Sequence, residues 1–161
     1  MAEVQKKPVI ILLAEDDEDD YFLTLKAMQH TRVLNELRWV RDGQELMDYL
    51  QQKGDYLGKP TLVPGIILLD LNMPRKNGMQ ALQEIKSDPR LRCIPVVIMT
   101  TSQSEEDIIR SYHLGVNSFI KKPVDFHQFI KVMQSVSSYW IEIVELPPER
   151  ATRQNGAPAP S

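Results

Sequence analysis

Ile-Ile-Leu-Leu-Asp-Leu-Asn-Met-Pro, residues 66–74, is the stretch on which the fold turns. Four apolar residues run without a polar break and end on Asp70; Pro64-Gly65 precedes them and Met73-Pro74 closes the segment. A short continuous apolar run between turn signals predicts a strand buried on both faces, as in a parallel sheet. An acid at the carboxyl end of such a strand sits where open α/β sheets hold their ligands. The plainer role for Asp70 is a turn cap. The strand alone leaves both open.

Outward from it, Val9–Ala14 is a second apolar run and predicts a second buried strand. It stops at Glu15-Asp16-Asp17-Glu18-Asp19-Asp20. Such a run is usually a solvated face, but here it lies between a buried strand and a helix start, where its later members favour the helix macrodipole. Tyr21, Leu25 and Met28 recur at helical spacing to about residue 31. Residues 37–40 are a short strand. Asp42 and Glu45 then form a capping-box pattern for a second helix with Leu46, Met47, Tyr49 and Leu50 on its apolar face. Residues 53–65 read as a long surface connection. Asn77-Gly78-Met79-Gln80 is another cap pattern, followed by Met79, Leu82 and Ile85. Residues 94–99 and 116–120 are the fourth and fifth strands. Helices fill the chain from about 102 to 113 and from 125 to 144.

The order is βαβαβαβαβα. Right-handed crossovers make such alternation a doubly wound α/β fold with helices on both faces. Five strands and five helices suit the flavodoxin-like order 2-1-3-4-5. The carboxyl ends of central strands 1, 3 and 4 then carry Glu15/Asp16, Asp70 and Thr100, and strand 5 adds Lys122.

Composition bounds the rest. A chain of 161 residues with net charge −3 is one domain with a real core and offers no basic surface for nucleic acid or membrane. Cys93 is the sole cysteine, expected to be a small buried or half-buried side chain. No signal peptide or 18-residue apolar span is visible, so the expected location is cytoplasmic. Residues 1–8 read as a flexible lead-in, 9–146 as the domain with an extended last helix, and 147–161 as a disordered tail rich in Pro, Ala and Arg.

Carboxylates gathered at one sheet edge repel one another, and a divalent cation or a lysine is the usual compensation. Asp16, Asp70 and a backbone carbonyl near Asn72 make a partial oxygen shell for Mg²⁺ or Mn²⁺, with Glu15 acting through water. Lys122 and Thr100 remain to bind an anion beside the metal. A carboxylate nucleophile, a metal, a lysine and a hydroxyl form a phosphoryl-transfer site with Asp70 as the attacking group. Taken singly, Thr100 is an ordinary strand residue, Lys122 a solvated lysine and Asn72 a turn former. Their common placement at carboxyl strand ends is the argument.

These residues resemble the receiver domains of two-component response regulators. The matching pieces are Glu15-Asp16, Asp70-Leu-Asn-Met-Pro74, Thr100 and Lys122-Pro123, in the family's order and spacing, and the resemblance covers about residues 9–135. It implies that Asp70 is the phospho-acceptor and Asp16 the principal metal ligand, with Glu15 and Asn72 completing the site. Thr100 and Lys122 would bind phosphoryl oxygens, the bond before Pro123 would be cis, and Thr100 with Phe119 would form the conformational switch. The implied partner is a histidine kinase, with a downstream protein as output. Thr100-Thr101-Ser102, the long 53–65 loop and the Tyr-Trp-Ile segment from 139 resemble the small regulators paired with phytochrome-type kinases. Thr101 departs from the Ala or Gly of many receivers and would narrow access to Asp70. A Mg²⁺-dependent aspartyl-nucleophile phosphatase is the alternative; such enzymes place a second Asp where Asn72 stands here. A receiver-like binding module that is never phosphorylated is a further one. Any residual hydrolysis of the acyl phosphate would use a water near Asn72 and Ser102.

The last helix is too long for one domain. From 125 to 144 it would span about 30 Å, and Tyr139, Trp140, Ile141, Ile143 and Val144 leave apolar groups on every side of its end. Such a helix needs a second surface. A homodimer through Tyr139, Trp140 and Ile141 is expected; the alternative is that the segment folds back over the domain's own sheet edge or fourth helix. His30, His113 and His127 read as surface residues.

Overall fold

A computed structural model describes residues 9–30, 35–71, 73–100 and 118–121, together with helical positions 127, 131, 134 and 135. Five parallel strands, β1 (Val9–Ala14), β2 (Asn35–Val40), β3 (Ile66–Asp70), β4 (Val96–Thr100) and β5 (Ser118–Lys121), pair in the order β2-β1-β3-β4-β5. This is the flavodoxin-like order expected from the alternation. Helices α1 (Glu18–Gln29), α2 (Gly43–Gln51) and α3 (Gly78–Ser87) join the first strands. The two remaining expected helices, the lead-in and the tail lie outside the described residues, apart from the four helical positions.

The sheet separates two cores because successive strand side chains point to opposite faces. Leu12, Ile67, Leu69, Val96 and Ile98 pack on one face with Leu46 and Met47 of α2 and Leu82 and Ile85 of α3. Ile11, Leu13, Ile66, Leu68, Val97 and Met99 pack on the other with Ala27 and Met28 of α1. Each fully buried Leu or Ile is worth about 1.5–3 kcal/mol relative to exposure. Gln134 Nε2 donates to the His30 carbonyl at 3.2 Å, which ties a helical position late in the chain to the end of α1.

Several local expectations shift. Strand β2 begins two residues earlier than the apolar run, because pairing with β1 in register from Val9 recruits Asn35 and Glu36. Strand β4 starts at Val96, since Ile94 accepts its place in the preceding turn by donating to the Leu91 carbonyl. The buried residues of α1 are Thr24, Ala27 and Met28, with Tyr21 and Leu23 packed beside them; Leu25 is only half-buried. Thr24 is accommodated because its hydroxyl donates to the Asp20 carbonyl at 2.8 Å. Cys93 is exposed rather than buried, since it lies in the turn between α3 and β4, away from both cores.

The 53–65 connection is a surface segment, as expected, but an organised one. A 3₁₀ turn, Gly54–Tyr56, opens it. Tyr56 donates its hydroxyl to Glu45 Oε2 at 2.8 Å, and Tyr49 donates to the Leu62 carbonyl at 3.0 Å. The two rings meet edge to face at 5.2 Å. Burial, then the Glu45 carboxylate, push the Tyr56 hydroxyl well above its ordinary pKa; burial chiefly raises Tyr49 too. A phenol that holds its proton longer in the folded state contributes fully below about pH 10, where the unfolded phenol is also neutral. Above that pH the unfolded chain ionises first and stability falls. Urea midpoints measured from pH 8 to 11 should therefore drop above about pH 10, and Tyr56→Phe should make that drop shallower.

Candidate functional site

Strand pairing builds the site. Ala14 of β1 lies opposite Leu69 of β3, so the next residues, Glu15 and Asp70, emerge side by side at the carboxyl edge. Carboxylate oxygens of Glu15, Asp16 and Asp70 all lie within 4.8 Å of one another. Glu15 and Asp70 are buried and Asp16 is exposed, so the cluster opens to solvent on one side. Oxygens on opposite sides of a Mg²⁺ are about 4.2 Å apart at ordinary bond lengths. A spacing of up to 4.8 Å suits one small divalent cation held directly by some of these oxygens and through water by another, as Mg²⁺ prefers.

The acidic run divides its work. Glu15 Oε2 accepts from the Asp17 amide at 3.3 Å. Asp17 is the N-cap of α1, taking the amides of Asp19 and Asp20 at 2.8 and 3.3 Å. Glu18, Asp19 and Asp20 occupy the first turn, where the helix dipole favours negative charge. Only Glu15 and Asp16 of the run reach the cluster.

The loop after Asp70 is fastened at several points. The Gly78 amide donates to the Leu71 carbonyl at 3.0 Å. A Cβ on Gly78 would stand 2.3 Å from the Asp70 carbonyl oxygen and 2.6 Å from Leu71 Cα. No other residue lets α3 start so close to the end of β3. The Gly43 amide donates to the Lys76 carbonyl at 2.8 Å. Arg75, in the left-handed region at φ 61°, forks onto Asp42 with bonds of 2.9 and 3.0 Å. Asp42 also caps α2 by accepting from the Glu45 amide, so one carboxylate joins two loops.

Thr100 ends β4 one residue beyond Met99, which pairs with Asp70, and lies opposite Lys121. Its backbone is therefore at the same sheet edge. Phe119 is on β5, opposite Ile98. The side chains of Thr100 and Phe119, and residues Asn72, Thr101, Ser102, Lys122, Pro123, Tyr139, Trp140 and Ile141, lie outside the described residues. Trp39 was not singled out by sequence reasoning. Its indole donates to the Glu15 carbonyl at 2.7 Å, and no local pattern in a short strand signals such a contact. A cleft of about 420 Å³ lined by Tyr49, Leu62, Pro64, Arg90 and Ile94 lies at the opposite edge of the sheet, and no carboxylate lines it among the described residues.

Comparison with known proteins bears on the family and the fold. The response regulator receiver domain profile matches residues 11–134. The chain belongs to that family. This receiver is 42% identical over 147 residues to the response regulator Rcp1 of Synechocystis sp., covering 91% of this chain and 99% of the relative. A phosphorylated cyanobacterial phytochrome response regulator, RcpA, superimposes with a TM-score of 0.79 at 41% identity, over 85% of this chain and 96% of the other. The Mn²⁺-bound form of Rcp1 gives 0.80 at 43% identity, over 87% and 99%. The resemblance read from four motifs thus holds for the receiver family and for its phytochrome-associated members. The chain is a response regulator of two-component signalling. Among the described residues no helix is long and apolar enough to cross a membrane.

The tight seat of Gly78 against Asp70 has a measurable consequence. Gly78→Ala should lose about 1–3 kcal/mol of stability through overpacking, seen as a lower urea midpoint. Exposed Gln83→Ala, on the solvent side of α3, should change it by less than about 0.5 kcal/mol.

Proposed function

We propose that this receiver accepts a phosphoryl group on Asp70 from a histidine kinase of the phytochrome type and signals by protein contact. The observation that carries the reading is the meeting of the Glu15, Asp16 and Asp70 carboxylates within 4.8 Å at the carboxyl edge of the sheet. Asp16 and Asp70 would hold Mg²⁺ directly, with Glu15 through water and the Asn72 backbone carbonyl beside them. When bound, the cation neutralises charge that develops on the transferred group. An Asp70 carboxylate oxygen attacks phosphorus. The new bond is P–O, the P–N bond of the phosphohistidine breaks, and the imidazole nitrogen keeps the electron pair. Thr100 and Lys122 would take the phosphoryl oxygens. Movement of the Thr100 hydroxyl toward them would free space for Phe119 to change rotamer. The Lys122-Pro123 bond is proposed to be cis. The product is an acyl phosphate open only to residual hydrolysis by water, so on this reading the protein is a phospho-accepting signalling component. A cytoplasmic location suits a kinase partner.

Incubation with a small acyl-phosphate donor and Mg²⁺ should add one phosphoryl group, lost at high pH. Asp70→Asn should abolish it and chelation should suppress it. A base-stable phosphoserine or phosphothreonine in its place would overturn the assignment.

Self-association through the apolar end of the last helix is proposed alongside. It rests on Tyr139, Trp140, Ile141, Ile143 and Val144, which only Glu142 interrupts. Sedimentation at micromolar concentration should show a dimer. Trp140→Ala with Ile141→Ser should shift it to monomer and leave Asp70 phosphorylation intact.

A further inference from the structure

The peptide unit between Glu15 and Asp16 joins two of the three acids of the site. Its plane is rigid, so whatever fixes the Glu15 carbonyl also fixes the orientation of the plane that carries the Cα atoms of both acids. The Glu15 amide is held by the Val40 carbonyl at 3.0 Å, one step past the last β1–β2 pair. The Glu15 carbonyl is held by Trp39 Nε1 at 2.7 Å, at the short end of the N–H···O range. Strand β2 therefore grips Glu15 from both its backbone groups, once by main chain and once by an indole.

The indole is itself immobilised. The Tyr21 ring, in the first turn of α1 after the acidic run, stacks on Trp39 with centroids 3.9 Å apart and planes 5° from parallel. The Arg41 guanidinium lies 4.3 Å from the indole centre. A stacked aromatic pair and a cation over the ring each add to burial. Tyr21 also places the far end of the acidic run against the same ring, so the loop from Glu15 to Tyr21 is braced at both ends by one side chain.

We propose that Trp39 is a positioning residue for the divalent-cation site: its indole N–H holds the Glu15–Asp16 peptide so that the acids converge with Asp70 before the cation arrives. This inference rests on the metal reading given above. Preorganisation of this kind acts on cation affinity and not on the transfer step.

The test uses the full chain and Mn²⁺ alone, with free Mn²⁺ followed by electron paramagnetic resonance. Trp39→Phe keeps a ring to stack and removes the N–H. It should weaken Mn²⁺ binding roughly five-fold, the size of one ordinary hydrogen bond. Phosphorylation by a small donor should then be slowed at low Mn²⁺ and restored at saturating Mn²⁺. Tyr21→Leu, which keeps the N–H but frees the ring, should weaken binding at least two-fold and serves if the first variant does not fold. Wild-type affinity in the folded variants, while Asp16→Asn abolishes binding, would overturn the positioning role and spare the metal reading. A wild-type chain that binds no Mn²⁺ would overturn both.

Discussion

Parallel pairing of β1 with β3 is the constraint on which the site depends. Two buried strands end level with one another because Ala14 faces Leu69, and two acids leave them at the same height. A shift of one residue in that register would turn Asp70 toward the opposite face of the sheet. Apolar side chains on both faces of both strands hold the register. Thus the hydrophobic packing that stabilises the domain also determines the distance between its carboxylates. Bringing those charges together costs free energy, and the domain meets that cost with the two apolar cores packed on either face of the sheet beneath the site.

The architecture was readable in the sequence because its signals are local and repeated. Runs of apolar residues at 9–14 and 66–69 carry no helical period, and Asp42 and Asn77 each announce a helix that the structure then starts at the following residue. Asn77 and Gln80 even form the reciprocal capping box. The acids were legible for a related reason: a charge directly after a buried strand has little room for other placement.

What was not legible depends on contacts across the chain. Trp39 looked like one more apolar residue of a short strand, and only the fold shows its N–H on Glu15. Gly78 read as part of a cap, yet its lack of a side chain is needed for the approach of α3 to Asp70. Arg75 and Asp42 are 33 residues apart in sequence and neither hints at the other. The exposure of Cys93 and the early start of β2 likewise follow from pairing and turn geometry, which single residue types do not encode.

The division of the interior by the sheet has an evolutionary side. Leu12 and Leu13 are neighbours in the chain, but one belongs to the core under α2 and α3 and the other to the core under α1. A wall of hydrogen-bonded backbone stands between them. Changes of side-chain volume on one side need compensation only on that side, so the two cores can drift independently. The surface that carries α1 can therefore be retuned toward a new partner while the packing beneath the opposite helices stays as it was.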